Sequence, residues 1–454
     1  MILPDTKIAS ANTEPVPVET GTPALPPPAA ARIRYWIGLT GAYMSVQAMV
    51  QLLSFATGII IIRSMSQREY AFYTIANSMQ GTMNLLADIG ISNAVMAIGG
   101  RVWQDRTRLG ELMQTALRLR YWLAARSMFV VGPVLVWLLL RQGASIANAL
   151  LLVAIVVSGF VIQLPTNLLM IAPRLHAQLG RLQRIDLISA SARCVLVATA
   201  CLLWLNSGTA LIATVLTAGI QFRILRSWAA DLVNFEANPT EEDRAEMLKV
   251  IRSQAPNAIY YCFQGQITIW LISTFGKAQS VAEVGALGRL ALVFTVISSV
   301  LAGMVIPRFA RCQDPNLLWR RYWQILALCA LLALAIMIAA ALFTPQFLWL
   351  LGSKYQHLKP EFIIMVLSNI VAFIAGVMWS LNAARAWFKY SWLYIPLTLA
   401  TQALLLTLLN VSTVRGVLVF SLFSQVPLLF LNAFLAWRGL KREFARNAPA
   451  EAQV

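Results

Sequence analysis

The feature that most constrains this chain is its series of long apolar runs, each about twenty residues, joined by short connections that carry arginine and lysine. A run of that length matches a bilayer core about 30 Å thick when it is wound as a helix rising about 1.5 Å per residue. Inside lipid every backbone N–H and C=O must find its partner within the protein, so repeated runs of this kind specify a helical bundle. Composition agrees: 59% of the 454 residues are hydrophobic and only 12% charged, and mean hydropathy is +0.68. An all-α integral membrane protein is expected.

Twelve spans are expected, at about 36–62, 70–98, 119–140, 147–172, 184–206, 208–226, 255–275, 281–306, 322–344, 361–385, 391–410 and 414–437. Residues 1–31 are proline-rich and read as a disordered tail. The first apolar run follows Arg32 and Arg34 and is long enough to span, unlike the short core of a cleaved signal peptide. The longest internal connection, 227–254, separates an N-terminal lobe (32–226, six spans) from a C-terminal lobe (255–438, six spans), and 439–454 forms a second tail. Within it, Asn238-Pro239-Thr240-Glu241-Glu242-Asp243 predicts an amphipathic helix with Thr240 as its cap and acids in its first turn. Six spans return the chain to the side on which it started, so the two lobes enter in the same sense and a parallel pseudo-twofold normal to the bilayer is expected.

Local sequence repeats at matching points. Ser66-Gln67-Arg68-Glu69 precedes the second span and Ser280-Val281-Ala282-Glu283 the eighth, each in the form of a capping box in which serine accepts from a free N–H and glutamate reaches back to another. Arg120-Tyr121-Trp122 and Arg321-Tyr322-Trp323 enter the third and ninth spans as Arg34-Tyr35-Trp36 enters the first, a pattern expected of interfacial anchors.

Most of the 36 lysines and arginines fall in the two tails and in the connections after even-numbered spans, which predicts that both termini and those connections are cytoplasmic. The net charge of +17 is spread among these loops instead of forming one basic domain, so nucleic acid is not an expected partner. Five cysteines without ligand spacing predict no metal site and no disulfide framework, and nothing calls for a cofactor. The two histidines, His176 and His357, have no acid–base constellation around them, and the longest outward connection, about 345–360, leaves no room for a catalytic domain. An enzyme is not expected.

Within the spans, polar side chains recur at helical spacing. Tyr73, Asn77, Gln80, Asn84 and Asp88 share one arc of the second span; Tyr43, Gln47, Gln51 and Ser54 one face of the first; Asn257, Tyr261, Gln264 and Thr268 one face of the seventh. Such stripes suit either a wet central cavity or hydrogen bonds between helices, and several in parallel favour the cavity. Arg126, Arg193 and Arg289 are the cations within spans and Asp88 is the only acid deep in one, so Asp88 either neutralises an arginine or couples transport to an ion.

Arg63-Ser-Met-Ser-Gln-Arg-Glu69-Tyr70-Ala-Phe-Tyr73 followed by Leu86-Ala-Asp88-Ile-Gly90 resembles the first hairpin of polysaccharide-type (Wzx-type) flippases of the MOP exporter superfamily, with Val284-Gly285-Ala286-Leu287 and Met304-Val305-Ile306-Pro307 similar in the second half. The resemblance implies a MATE/MOP-like architecture. It also implies a flippase that carries a polyprenyl-diphosphate-linked oligosaccharide, of the undecaprenyl type, across the bacterial inner membrane for polysaccharide synthesis. A polysaccharide polymerase and export machinery are then expected partners beside membrane lipids. Where relatives often carry Gln-x-Asp in the seventh span this chain has Gln264-Gly265-Gln266, so a carboxylate that could bind a coupling cation is missing. On this view Arg126, Arg193 and Arg289 would hold diphosphate, and Gln47, Gln51, Asn77, Gln80, Asn84, Asn257, Tyr261 and Gln264 would meet sugar hydroxyls. A multidrug antiporter of the same superfamily is the alternative, and a membrane-embedded polymerase or ligase a more remote one.

Overall fold

The structure is a computed structural model that describes residues 29–446 apart from 177, 302–304, 311, 313, 388 and 389; the side chains of 29–44 and of a few other positions lie outside that description. Among the described residues, 29–45 and 46–446 fall into two units, and the second contains the helical bundle. The helices in chain order are α1 (Ala29–Ser64), α2 (Gln67–Asp88), α3 (Ile91–Val102), α4 (Arg106–Arg141), α5 (Ile146–Leu169), α6 (Ile171–Leu175), α7 (Leu179–Leu203), α8 (Ser207–Ala229) and α9 (Glu241–Phe275). They continue as α10 (Ala278–Leu290), α11 (Leu292–Val300), α12 (Ile306–Ala310), α13 (Pro315–Leu342), α14 (Thr344–Leu351), α15 (Lys359–Ala384), α16 (Tyr394–Leu408), α17 (Val414–Ser424) and α18 (Val426–Arg446). No strand occurs among the described residues. Ten helices or helix pairs are long and apolar enough to cross a membrane, and the bent pair α2–α3 makes an eleventh.

The stretch around α2 is the centre of the packing. Tyr70, Ala71, Phe72, Tyr73, Ile75, Ala76, Met79, Met83 and Ala87 are all at most 2% exposed, which covers most of the helix circumference. α2 packs on α4, α5 and α8, and from the second half of the chain on α9 and α10. Because lipid tails are as apolar as leucine, helices in a bilayer associate through close approach, not through escape from water. Gly285 of α10 provides it: a Cβ there would lie 2.7 Å from Thr74 Oγ1 and 2.8 Å from its methyl carbon. Gly159 of α5 faces Gln80 in the same way, at 3.0 Å.

Three expectations are corrected here. The second expected span is not one straight helix: it bends by 44° between α2 and α3, at Ile89 (φ 24°) and Gly90 (φ 86°). The expected cytoplasmic helix and the seventh span are a single helix, α9, running through Pro256; it is not among the described helices that pass the length and hydropathy test, its second half carrying Gln264 and Gln266. Thr240 does precede α9, but its hydroxyl donates to Asp243 (2.6 Å) in place of accepting from the backbone. Asp243 in turn receives two bonds from Arg108, each 2.7 Å, which strap the start of α9 to the start of α4.

The paired capping boxes also differ from expectation. Ser66 does cap α2, accepting from the Glu69 N–H at 3.2 Å, but the Glu69 carboxylate does not turn back. It accepts from the backbone N–H (2.9 Å) and hydroxyl (2.6 Å) of Ser207, at the start of α8, where the helix dipole favours a negative charge. Ser280 is not a cap at all, since α10 begins earlier, at Ala278 after Lys277. Glu283 accepts from Gln279 (2.9 Å) and faces His357 Nε2 (3.0 Å).

The end of α1 is tied to the second half of the chain. Arg63 donates to the carbonyls of Trp349 (2.6 Å) and Leu350 (3.0 Å), the last turn of α14, and lies over the Trp349 ring. Lys354 donates to the carbonyls of Met65 (2.6 Å) and Arg63 (3.3 Å). Gln142, after α4, donates to the carbonyls of Ser273 and Gly276 at the end of α9. These connections use carbonyl acceptors throughout, so they do not depend on the ionisation of any acid.

Candidate functional site

Two of the three arginines singled out from sequence converge. Arg193 leaves the middle of α7 and donates from Nη2 to the Tyr73 hydroxyl at 2.9 Å. Arg289 leaves the last turn of α10, crosses Gly58 of α1 with its Cδ 3.5 Å from where a Cβ would be, and lies against the hydroxyls of Tyr70 and Tyr73. The two phenols are one helical turn apart on α2 and their rings stack, with centroids 6.1 Å apart. Both tyrosines are 1% exposed or less, whereas the arginines are half-buried. α1, α2, α7 and α10 therefore bring two guanidiniums to one pair of phenols.

Neither Arg193 nor Arg289 enters an ion pair among the described residues. Arg193 Nε is buried and has no hydrogen-bond partner among the described residues, so the planar fork keeps a donor to offer. Two cations held around one neutral hydroxyl repel each other, and a dianion placed between them would relieve that repulsion and accept several charge-assisted bonds. The sequence pointed to Arg193 and Arg289 but not to Tyr70 and Tyr73 as the groups that position them. The signal was present, since Tyr73 falls on the polar arc of the second span and Tyr70 one turn before it.

Arg126 is not part of this cluster. It is exposed and stacks on Trp122 of its own helix, its guanidinium carbon 3.4 Å from the ring centroid. The arginine that sequence reasoning passed over is Arg120, expected to be an interfacial anchor. It is 2% exposed and pairs with Asp88 at 3.2 Å, while its Nε and Nη1 are buried without partners among the described residues. The cause is the true start of α4: Asp105 caps it by accepting from the N–H groups of Thr107 and Arg108, which puts Arg120 about four turns inside the helix. Asp88 also accepts from the Ser92 hydroxyl (2.7 Å) and N–H (3.3 Å), so it spans the bend between α2 and α3.

The polar stripes divide between bonds and open positions. Asn84 donates to Gln163 of α5 at 2.6 Å, and Gln80 is 5% exposed beside Gly159. Asn77 is exposed, and Gln47 and Gln51 are half-buried; the side chain of Tyr43 lies outside the described residues. On α9, Gln264 and Gln402 of α16 exchange amide bonds at 3.0 and 2.7 Å, Tyr261 stacks on Tyr394 (5.9 Å) and Asn257 is exposed. Gln266 accepts from Ser78 of α2 at 2.5 Å. The stripes thus serve in good part as contacts between helices, and Gln266 joins the two halves of the chain. Among the described residues no group of three His, Cys, Asp or Glu side chains is placed to hold a metal.

No family model and no curated protein matches the sequence. Solved structures do match in fold. A multidrug resistance MATE family transporter of the MOP superfamily in its inward-facing conformation superposes with a TM-score of 0.67 at 15% identity, covering 88% of this chain and 96% of that one. The outward-facing conformation of such a transporter gives 0.60 at 16% identity, over 88% and 94% of the two chains. A MOP superfamily transporter from Pyrococcus furiosus, described by the reverse polarity of its binding pocket, gives 0.52 at 15% identity over 89% and 94%. This chain is a multi-pass membrane protein with the fold of the MATE transporters of the MOP superfamily.

Proposed function

We propose that the protein is a flippase that moves a polyprenyl-diphosphate-linked oligosaccharide from the cytoplasmic to the periplasmic leaflet of the bacterial inner membrane, working by alternating access between two six-helix lobes. The observation that carries this reading is the pair Arg193 and Arg289, drawn from α7 and α10 to the phenols of Tyr70 and Tyr73 without a carboxylate partner among the described residues. A guanidinium keeps its charge when partly buried and matches phosphate oxygens with a planar fork of donors. A cationic drug would meet repulsion at the same place. The fold by itself leaves the cargo open: two structures that share it are described as those of multidrug resistance transporters, and the Pyrococcus furiosus protein is described as having reversed pocket polarity that suggests a different function.

In this reading the termini are cytoplasmic, the connections tied by Arg63 and Lys354 lie on the periplasmic side, and a polysaccharide polymerase takes up the delivered sugar. The test is complementation of polysaccharide output in a strain lacking the transporter, with membrane levels of each variant measured. Arg193→Ala and Arg289→Ala should each remove charge-assisted bonds of about 1.5–3 kcal/mol, or tenfold and more in apparent affinity for the lipid-linked sugar. Lysine should restore only part of it. Well-expressed alanine variants with full output and parental affinity would overturn the reading, and drug resistance lost in the same variants would favour the multidrug alternative.

A further inference from the structure

Arg126, displaced from the central cluster, belongs to a second cationic feature. Arg118, Trp122 and Arg126 are spaced four residues apart and share one face of α4, all of them exposed. On α9, Arg244, Leu248 and Arg252 have the same spacing, and a cavity of about 430 Å³ between the helices is lined by Arg118 and Trp122 from α4 and by Glu241, Arg244, Leu248 and Arg252 from α9, with Arg126 just beyond that lining, over the Trp122 ring. Arg244 is held by Glu241 at 2.9 Å. Arg118, Arg126 and Arg252 enter no ion pair among the described residues.

Each row places cations about 12 Å apart along its helix, which is more than one phosphate group covers. On the orientation proposed above, counting about twenty residues back from the end of α4 at Arg141 puts Arg118 at the cytoplasmic headgroups and Arg126 about two turns deeper. A lipid of the surrounding bilayer needs a cation at one depth only. Two depths, with an aromatic ring and apolar side chains between them, suit an anionic headgroup that moves inward while its chain stays in the bilayer.

We propose that the groove between α4 and α9 is the receiving site for the diphosphate headgroup of a prenyl-linked lipid, from which the headgroup passes to the arginine pair. The assignment rests on the cargo reading above, and names a separate place for it to begin.

The test uses the full-length protein in phosphatidylcholine nanodiscs and a photoreactive farnesyl diphosphate, with cross-linked peptides mapped by mass spectrometry. Labelling is expected in the segments around Arg118–Arg126 and Arg244–Arg252. It should fall at least tenfold in the double variant Arg118→Gln/Arg252→Gln, whose exposed positions leave the melting temperature unchanged, and it should persist in Arg193→Ala/Arg289→Ala. Labelling confined to α2, α7 and α10 would overturn the groove and leave the cargo reading standing. Groove labelling together with full polysaccharide output from the Arg193 and Arg289 variants would do the reverse. Equal competition by inorganic diphosphate would make this a site for free anions, and equal competition by phosphatidylglycerol a site for bulk lipid; either result overturns the assignment.

Discussion

Asp88→Asn offers a direct test of how the bend between α2 and α3 is held. The carboxylate pairs at 3.2 Å with Arg120, whose side chain is 2% exposed while that of Asp88 is 30% exposed. At an effective dielectric of about 20, opposite unit charges at that distance attract by about 5 kcal/mol. Removing one member of a buried pair generally costs about 3–5 kcal/mol, because the partner remains desolvated and unpaired. Arg120 is the member that suffers more, since its Nε and Nη1 already lack partners among the described residues. Asparagine keeps an oxygen to accept from Ser92, so the change removes charge and little else.

The apparent melting temperature in detergent, followed by size-exclusion chromatography of heated samples, should therefore drop by about 3–5 °C. Arg120→Met should cost less, because water reaches the abandoned Asp88. The double variant Asp88→Asn/Arg120→Met should recover most of the loss, a non-additivity of about 2 kcal/mol or more. A parental melting temperature for Asp88→Asn, or strictly additive effects in the double variant, would refute the assignment of this pair as the buried tie across the bend.

Gly285→Ala should lower stability by about 1–3 kcal/mol, read as a shift in melting temperature, because its Cβ would sit 2.7 Å from the stiff, branched Thr74, and Thr74→Ser should relieve part of the effect. Glu69→Gln should cost about 1.5–3 kcal/mol in the same assay through its weakened bonds to Ser207, and a parental value would show that the charge at the start of α8 is idle. Cysteine at Glu241, 84% exposed, should be shielded from an impermeant thiol reagent in whole cells while cysteine at Gln356 is labelled; the opposite pattern would invert the orientation. Asp88 is also the candidate coupling acid, so any ion dependence of transport should disappear in Asp88→Asn/Arg120→Met, and its persistence would remove Asp88 from that role.

Length and hydropathy were enough to specify a helical membrane protein, because the bilayer imposes one solution on a run of about twenty apolar residues, whatever surrounds it. The same rule locates Arg193 and Arg289 as residues with a task, since a guanidinium within a span is costly unless it meets a partner. Spacing along one chain does not contain the identity of that partner. Glu69 reads as a local cap and is a tie to Ser207, 138 residues away; Arg120 reads as an anchor and is the buried partner of Asp88. Asn84 and Gln264 read as cavity walls, yet each spends its amide on a neighbouring helix. Only the packing of α1, α2, α7 and α10 around Gly58, Tyr70 and Tyr73 decided which two of three arginines meet. Their approach depends on a glycine on one helix and two phenols on another, groups whose mutual distance is a property of the folded bundle.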